Sequence, residues 1–348
     1  MRILVTGNLG YVGPGVVKEF RKHYPQAEIF GFDIGYFSKF LTTDLITPEA
    51  YLDRQYFGDV RKFPEKILDG VDTVVSLAAI SNDPIGNKFE EPTYDINFRA
   101  PVEIAKLAKK HGVRNYIFAS SCSVYGAAED APRTEDSDLN PLTAYAKSKI
   151  FAENELSNLA DSNFKITCHR FATACGMSDR LRLDLVVNDF VTCARTSGEI
   201  TILSDGSPWR PLINVLDMAR AIRWSHERKP DNGGNFLIVN TGSDEWNYKV
   251  VELANKIKEL NPKVEVSVNQ NAAPDKRSYK VDFALFKKLA PNHQPIFNLT
   301  SSIEGLFDGL EKMNFNNKDF RNSFYMRLNV INDLLNRGIV DDKLYLKK

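Results

Sequence analysis

The sequence predicts an α/β fold, with a doubly wound parallel sheet and a smaller second α/β domain built from discontinuous segments. Over the first 171 residues, short apolar runs that end in glycine or polar residues alternate with longer segments of helical period. Such alternation implies right-handed crossovers and parallel strands. After residue 172 the alternation loosens, and no Pro- or Gly-rich linker marks a clean boundary. At ~150 residues per domain, the 348 residues agree with about two domains.

The positions of apolar residues predict the elements in chain order. Strands are predicted where short apolar runs occur, at residues 3–6, 29–33, 74–79, 116–120, 166–171 and 236–240. Helices are predicted from the helical period, at residues 14–24, 94–111, 141–159, 184–197, 215–228 and 248–260. Pro101 falls inside the second helix, which must be kinked or begin late, because proline cannot donate a hydrogen bond inside a helix.

The two predicted domains are interleaved along the chain. Residues 1–171 form the first domain, and a segment near 211–242 is expected to return to its sheet through the strand at 236–240. Residues 172–210 and 243–348 form the second domain and a C-terminal tail.

The composition excludes several classes of protein. With 43% apolar residues and 45 basic side chains balanced by 45 acidic ones, the chain is not intrinsically disordered. Neither half has a large basic excess, so we expect no nucleic acid and no membrane partner. No apolar run approaches the ~20 residues of a membrane helix. The four cysteines are too scattered for a disulfide scaffold, and their spacing predicts no metal site. The first residues are typical of a strand and not of a signal peptide, so the expected location is cytoplasmic.

Three glycines stand between the first strand and the first helix, at Gly7, Gly10 and Gly13. Glycine there permits a tight turn, close approach of a pyrophosphate to the backbone, and helix–strand packing. The free N–H groups at the helix start then face the phosphates. Asp33 closes the second strand, where a carboxylate accepts from the ribose 2′-hydroxyl of NAD and repels the 2′-phosphate of NADP. The pattern predicts a Rossmann-like first domain that binds NAD.

Two further groups are expected near this dinucleotide. Asp59 and Val60 are expected to follow a third strand, which lies between those at 29–33 and 74–79 and makes the latter the fourth. They can reach an adenine, although an Asp-Val pair is also found at ordinary strand ends. Leu77, Ala78 and Ala79 end the fourth strand, and either press against the cofactor or belong to the sheet core.

Tyr145 and Lys149 are four residues apart on a predicted helix and therefore share one face. A free tyrosine, with a pKa near ~10, is a poor base at neutral pH. A nearby ammonium and the positive nicotinamide ring would both favour tyrosinate. Ser121, at the end of the fifth strand, can hydrogen-bond the same substrate oxygen. A Tyr/Lys pair at this spacing is also a common surface feature, and its position after a dinucleotide loop is what indicates catalysis.

Four motifs carry a resemblance to a known family: TGNLGYVG at residues 6–13, SSCSVYG at 120–126, YAKSK at 145–149 and RPLINVLD at 210–217. The chain resembles the extended short-chain dehydrogenases/reductases, the NAD-dependent epimerase/dehydratase family of nucleotide-sugar enzymes. The resemblance implies that Tyr145 is the base, that Lys149 binds the nicotinamide ribose and tunes the tyrosine, and that Ser121 hydrogen-bonds the reacting hydroxyl.

The expected contacts follow from the motifs and this resemblance together. The expected cofactor contacts are Gly7, Asn8, Leu9, Gly10, Tyr11, Val12, Gly13, Asp33, Asp59, Val60, Leu77, Ala78, Ala79, Ser120, Tyr145, Lys149 and Phe171. The expected substrate contacts are Ser81, Ser123, Thr173, Asn188, Arg210 and Arg277. By the resemblance, Phe171 packs on the nicotinamide ring and Asn188 and Arg210 hold a nucleotide diphosphate. The alternatives for these last two are a helix-cap amide and a surface arginine.

A narrower resemblance is to bacterial C4 oxidoreductases and epimerases of nucleotide-linked hexoses and heptoses. It rests on FATA at residues 171–174, RLDLVVNDF at 182–190 and PDKRSY at 274–279, and it implies that Arg277 is a second phosphate anchor.

The reaction is expected to begin with oxidation of the sugar C4 hydroxyl to a 4-ketosugar, as in the family that the chain resembles. Dehydration is disfavoured, because the related dehydratases have acidic residues where this chain has Cys122 and Ser123. Alternation along a strand would point Cys122 away from Ser123, so Cys122 is expected to pack in the core. Two reactions remain: 4-epimerisation, and simple C4 oxidation or reduction by a dehydrogenase or ketoreductase. The preference for NAD favours the epimerase, which recycles its cofactor.

The rival interpretation is a non-catalytic NAD-binding sensor or an RNA-binding relative. Such proteins often lack the tyrosine or the lysine, whereas this chain keeps both and has no basic, aromatic-rich stripe. We therefore expect a nucleotide-diphosphate sugar as substrate. The resemblance also implies a homodimer formed through the helices at 94–111 and 141–159.

Overall fold

A seven-stranded parallel sheet forms the centre of the computed structural model, which describes residues 1–39, 41–42, 46–81, 83–128, 131–269, 272 and 277–347. Within these ranges the strands, numbered along the chain, are β1 (Arg2–Thr6), β2 (Glu28–Asp33), β3 (Arg54–Phe57), β4 (Thr73–Ser76), β5 (Asn115–Ser121), β6 (Lys165–Phe171), β7 (Thr173–Cys175), β8 (Glu199–Ile202), β9 (Trp209–Asn214), β10 (Phe236–Thr241), β11 (Asn247–Lys249) and β12 (Glu265–Val268). The α-helices are α1 (Gly13–His23), α2 (Asp83–Lys88), α3 (Glu90–Tyr94), α4 (Ala100–Lys110), α5 (Ala144–Ser157), α6 (Val186–Thr196), α7 (Val215–Glu227), α8 (Val250–Leu260), α9 (Ala284–Leu289), α10 (Leu299–Lys312) and α11 (Arg327–Asn336).

The central sheet has the strand order β10-β6-β5-β4-β1-β2-β3, and its neighbouring strands pair in parallel. The predicted parallel sheet and the return of a late strand to it are confirmed. The fourth strand is shorter than predicted, because β4 ends at Ser76 and Leu77, Ala78 and Ala79 lie in the loop that follows.

Helices cover both faces of this sheet. On one face, Val16 and Phe20 of α1 pack in a cluster with Ile222 of α7 and the inward side chains of β1. On the other face, Ile104 of α4 and Leu156 of α5 pack with Phe118 and its neighbours. Each such side chain stabilises the fold by about 1.5–3 kcal/mol on burial. The doubly wound arrangement is therefore the one the sequence predicts.

The helix that contains Pro101 is interrupted, as its proline requires. Pro101 lies in the first turn of α4, which continues directly from the preceding helical turn. The preceding turn, Asp95–Arg99, is π-helical. This local widening includes Asn97, whose amide accepts from Ile80 N at 2.8 Å and donates to Ile80 O at 2.9 Å. Through these two hydrogen bonds, Asn97 of the π-helical turn fixes Ile80 in the loop after β4.

The second domain packs helices α6, α8 and α10 around two small sheets, in the orders β11-β9-β7 and β12-β8. Residues 320–347, which we call the C-terminal strap, were assigned to this domain from the sequence. In the structure, Val330, Ile331 and Leu334 of the strap pack with Ile85 and Phe89, which follow β4 in the first domain. The strap therefore lies across both domains. None of the described helices is long and apolar enough to span a bilayer.

Candidate active site

A cavity of about 890 Å³ lies at the carboxyl ends of the central strands, between the two domains and the C-terminal strap. This is where ligands bind in doubly wound sheets, and the volume is ordinary for a ligand site. Most of the predicted residues line it: Gly7, Gly10, Tyr11, Val12, Asp33, Asp59, Val60, Leu77, Ala78, Ala79, Ser81, Ser120, Ser121, Ser123, Tyr145, Lys149, Phe171, Thr173, Arg210 and Arg277. Asn8, Leu9, Gly13 and Asn188 lie behind its wall.

The glycine loop is shaped by backbone crowding at two positions. Gly7 has a φ of +76°, and a Cβ there would lie 2.4 Å from the backbone nitrogen of Ala78. A Cβ at Gly13 would lie 2.2 Å from the carbonyl oxygen of Asn8. At Gly10, by contrast, the nearest atom to a Cβ would be the Gly7 carbonyl oxygen at 3.2 Å. This contact is also tight, although less severe than those at Gly7 and Gly13.

Asp33 is fixed by the loop that it faces. Leu9 N donates to one carboxylate oxygen at 3.1 Å and Gly35 N to the other at 2.7 Å. Burial raises the pKa of Asp33, while these hydrogen bonds oppose the rise. Each oxygen can accept a further hydrogen bond, as recognition of ribose hydroxyls requires. Asn8 supports the loop from behind, through a 2.6 Å bond from its amide to the side-chain oxygen of Gln55.

The start of α1 completes the fit to a dinucleotide. Val12, at the N-cap, makes no side-chain cap, so the first N–H groups of α1 have no partner of that kind. Such groups bind phosphates. Together with Gly10, which lines the cavity without a side chain, and the carboxylate of Asp33, they form a set of groups that suits NAD.

Tyr145, Ser121 and Lys149 come together at the floor of the cavity. Thr143 caps α5 by accepting from Ala146 N at 3.2 Å, which sets where the helix begins. The Ser121 hydroxyl accepts from Ser123 N at 3.2 Å and lies close enough to Tyr145 to lower the pKa of its phenol. Lys149 is buried, with Nζ 2.7 Å from the carbonyl oxygen of Ala119 and 5.5 Å from the centre of the Tyr145 ring.

Burial dominates the electrostatics of this trio. It raises the pKa of Tyr145 to about 12, which the nearby Ser121 hydroxyl and the Arg182 guanidinium oppose and the Asp83 carboxylate reinforces. Burial also lowers the pKa of Lys149 to about 7. Arg182 is therefore a second cation that favours the tyrosinate, and the tuning of Tyr145 by Lys149 stays a prediction.

Other predicted cofactor contacts are held by the surrounding structure. The Ser120 hydroxyl bonds Glu153 at 2.5 Å, and Glu153 in turn pairs with Arg170 at 2.8 Å. The Phe171 ring stacks on His169, with 4.8 Å between the ring centres. Asp59 pairs with Arg61 at 2.5 Å. Its carboxylate is therefore occupied by that guanidinium, at the end of the cavity that the C-terminal strap covers.

On the substrate side, Ser81 accepts a hydrogen bond from Arg182 at 2.9 Å. The hydroxyl of Ser123 is buried without a hydrogen-bond partner among the described residues. Arg277 pairs with Asp83 at 2.6 Å, and Arg210 donates to the carbonyl of Arg277. Thr173 adds a hydroxyl-bearing side chain to the wall.

Asn188, which was expected to contact the nucleotide diphosphate, does not line the cavity. Its amide accepts from Gly176 N at 3.0 Å and donates to the carbonyl of Arg182 at 2.9 Å and to the Tyr11 hydroxyl at 3.2 Å. The side chain is fully buried and orders the loop behind the wall. Pro274, Asp275 and Lys276, which carry part of the narrower resemblance, lie outside the described residues.

Cys122 packs in the core, as expected, but for another reason. Residues Cys122–Tyr125 form a 3₁₀ turn and not a continuation of the strand, so alternation along a strand does not apply. The thiol donates to the carbonyl of Arg170 at 3.0 Å, and burial raises its pKa well above the ordinary value.

Sequence reasoning missed several charged residues that line the cavity, among them Asp83, Arg182 and Arg327. Arg182 begins the segment 182–190, which supports the narrower resemblance, and only that resemblance could have indicated its place in the site. Arg327 lies in the C-terminal strap, and no local pattern marks it.

The chain is similar to known enzymes over most of its length. A model of the NAD dependent epimerase/dehydratase family matches residues 3–242. UDP-glucose 4-epimerase of Lactobacillus helveticus is 25% identical over 79% of this chain and 87% of its own. UDP-glucuronic acid decarboxylase 6 of Arabidopsis thaliana is 26% identical over 83% of each chain. The solved structure of MoeE5 in complex with UDP-glucose and NAD superposes with a TM-score of 0.76 at 23% identity, over 90% of this chain and 99% of that one.

Proposed function

The chain belongs to the NAD dependent epimerase/dehydratase family, and from this premise we propose that it is a nucleotide-sugar 4-epimerase acting through Tyr145, Lys149 and Ser121. Membership confirms the family predicted from the sequence and NAD as the cofactor. The observation that carries the proposal is that Ser121, Tyr145 and Lys149 line one cavity, which the glycine loop and Asp33 also border.

Tyr145 is the base in the proposed reaction. When bound, NAD supplies the acceptor for the hydride that leaves the sugar C4. Tyr145 takes the proton of the C4 hydroxyl while Ser121 hydrogen-bonds the same oxygen, which gives a 4-ketosugar. After the ketosugar turns its other face, C4 regains the hydride and Tyr145 returns the proton. Because the pKa of Tyr145 is about 12 in the protein alone, with the effect of Arg182 already included, the positive charge of the bound cofactor must favour the tyrosinate further.

Epimerisation needs the same NAD for both hydride steps, and the C-terminal strap supports its retention. Leu344 lines the cavity, and its carbonyl oxygen accepts hydrogen bonds from Tyr36 and Arg61. A dehydrogenase or ketoreductase would instead exchange its cofactor at every turnover. The relatives named as UDP-glucose 4-epimerases also support the epimerase.

The substrate is proposed to enter from the side of Arg210 and Arg277. Guanidinium groups suit a diphosphate because they present several N–H donors in a fixed geometry. Thr173 and the unpartnered hydroxyl of Ser123 would then face the sugar.

The reaction can be identified without adding cofactor. We expect the purified protein, incubated in D₂O with UDP-glucose, dTDP-glucose or GDP-mannose, to form the C4 epimer of one of them without solvent deuterium. Loss of water from the sugar would identify a dehydratase, and loss of carbon dioxide from a UDP-uronic acid would identify a decarboxylase. A product that forms only with stoichiometric added NAD or NADH would identify a dehydrogenase or ketoreductase.

Tyr145→Phe tests the base. We expect kcat to fall by about 10²–10⁴-fold, the contribution typical of a general base, while the Kd for NAD changes only a few-fold. Tyr94→Phe is the matched control, because Tyr94 lies on α3 outside the cavity wall. Full activity in Tyr145→Phe would overturn the mechanism.

The homodimer stays a prediction, which a solution mass measurement checks. Phe151 of α5 is 44% exposed and contacts the rings of Tyr94 and Phe98, with 5.9 and 5.6 Å between ring centres. This aromatic patch lies on the face expected to form the interface.

A further inference from the structure

Three buried arginines converge beside the glycine loop. Arg180, Arg182 and Arg327 are 2%, 7% and 4% exposed. Two of them have a carboxylate partner, since Arg180 pairs with Glu49 at 2.6 Å and Arg182 with Asp184 at 2.7 Å.

Arg327 is the exception. It lies at the start of α11, where one terminal nitrogen donates to the carbonyl of Arg180 at 3.0 Å and the guanidinium lies 4.4 Å from the centre of the Phe37 ring. Its other terminal nitrogen, Nη1, is buried without a hydrogen-bond partner, and none of the described carboxylates forms an ion pair with it. Burial, with the nearby charges of Arg182 and Arg180, lowers the pKa of Arg327 to about 9, although the carboxylates of Asp184 and Asp33 oppose the fall from a distance.

A buried guanidinium with an unmade hydrogen bond and two cationic neighbours is unfavourable unless an anion joins it. Arg327 still carries its charge at neutral pH, because its pKa of about 9 lies above 7. Both Arg182 and Arg327 line the cavity. The structure therefore provides a site for an anion on this wall.

The neighbours of Arg327 indicate which anion fits. Arg327 interacts electrostatically with Tyr11 of the glycine loop and with Asp33. The loop and the start of α1 are placed for phosphates, and Asp33 for a ribose. Arg210 and Arg277 stand at a different part of the wall, beside Asp83. In a dinucleotide bound by these groups, the anion between the loop and the ribose would be the pyrophosphate.

We propose that Arg327, with Arg182 beside it, binds the pyrophosphate of NAD, so that the C-terminal strap completes the cofactor site from the side opposite the glycine loop. The inference rests on NAD as the cofactor and is independent of the proposed epimerisation.

The strap is attached at both ends of α11, and this fixes Arg327. Before the helix, Leu183 N donates to the carbonyl of Tyr325 at 3.0 Å, and Arg321 pairs with Asp189 at 2.7 Å. After it, Arg61 donates to the carbonyl of Leu344 at 2.6 Å. NAD held by Arg327 would leave only when the strap separates from the first domain.

Arg327→Met tests the proposal through binding, without an activity readout. We expect the Kd for NAD and for ADP-ribose to rise about 10–100-fold, the loss typical of a charge-assisted hydrogen-bonded contact. The Kd for adenosine, which has no phosphate, should stay unchanged. The matched control is Arg337→Met, because Arg337 ends the same helix, is 54% exposed and makes only a 3.4 Å pair with Asp333.

Calorimetric titration of the nucleotide-depleted full-length protein gives all three constants. Unchanged NAD affinity in Arg327→Met would overturn the proposal, and so would an equal loss of adenosine affinity, which would indicate a purely structural role. If Arg327→Met does not fold, Arg327→Lys keeps the charge and should show a smaller loss with the same dependence on phosphate. Failure to epimerise any sugar with NAD affinity intact would contradict the proposed function and leave this inference standing.

Discussion

The two walls of the cavity are built from different parts of the chain and by different means. One wall consists of the glycine loop, Asp33 and the carboxyl ends of the central strands, and it offers mainly backbone groups from consecutive residues. The opposite wall is the C-terminal strap, which offers the side chain of Arg327 some 300 residues later. The main residues of the first wall form a local sequence motif, whereas the strap reaches the cavity only when the chain folds.

This difference extends to how firmly each wall is attached. Behind the first wall, Glu153, Arg170 and Ser120 join α5, β6 and β5 in the interior. The strap is attached by apolar contacts with Ile85 and Phe89 and by hydrogen bonds to the carbonyl oxygen of Leu344. We therefore expect damage to the first wall to affect the whole fold, and damage to the strap to stay local.

Glu153→Gln should have the largest effect. Glu153 and Arg170 are 1% and 4% exposed, so the substitution leaves a buried guanidinium without its counterion. Removing one partner of such a pair typically lowers the free energy of unfolding by about 3–5 kcal/mol. Urea denaturation measures this change.

The matched control for that experiment is Glu91→Gln. Glu91 pairs with Arg99 on the surface at 2.6 Å, with side chains 69% and 52% exposed. Exposed pairs contribute about 0–1 kcal/mol. Equal losses in the two variants would show that the Glu153–Arg170 pair does not hold the first wall together.

Each wall also contains a buried cation, Lys149 in the first wall and Arg327 in the strap, and the two differ in pKa. Burial lowers the pKa of Lys149 from 10.5 to about 7, so the unfolded chain binds more protons than the folded one between these values. The free energy of unfolding should therefore rise with pH from about 7 to 10.5, by up to about 1.4 kcal/mol per pH unit from this group.

Lys149→Met isolates this contribution. Lys165 has a similarly lowered pKa of about 7, but it is present in both proteins and cancels in the comparison. Urea denaturation of nucleotide-free protein at several pH values should give a flatter profile for the variant. Parallel profiles would mean that Lys149 keeps its proton across this window, as Arg327 does at neutral pH.

The first wall was predictable because its chemistry is local. The spacing of Gly7, Gly10 and Gly13 before a helix, and of Tyr145 and Lys149 on one helical face, is fixed by geometry that neighbouring residues determine. Six of the seven strands of the central sheet were predicted for the same reason, since each of the six is a short apolar run, whereas β3 and the strands of the two small sheets were not located. Where β4 ends was not predictable, because Leu77, Ala78 and Ala79 are apolar in the loop as well.

The features of the site that were not predicted from the sequence depend on contacts between residues far apart in the chain. Asn188 is of a suitable type for a diphosphate, but its amide is occupied by Gly176, Tyr11 and Arg182. The position of Lys149 Nζ depends on the Ala119 carbonyl of the neighbouring strand. The position of the strap depends on residues that the chain separates by more than 200 positions, such as Ile85 and Leu334.

Tyr36→Phe should have the smallest effect and the most local one. The Tyr36 hydroxyl donates to the carbonyl oxygen of Leu344, and a hydrogen bond of this kind typically contributes about 1 kcal/mol. Hydrogen exchange of the amides at residues 339–347 should become about five-fold faster, with little change in the urea midpoint. Tyr24→Phe is the matched control, because Tyr24 bonds Glu227 at 2.6 Å, away from the strap. A shift of the urea midpoint in Tyr36→Phe as large as that in Glu153→Gln would show that the strap unfolds together with the central sheet. The two walls would then differ in the sequence positions of their residues but not in how firmly they are attached.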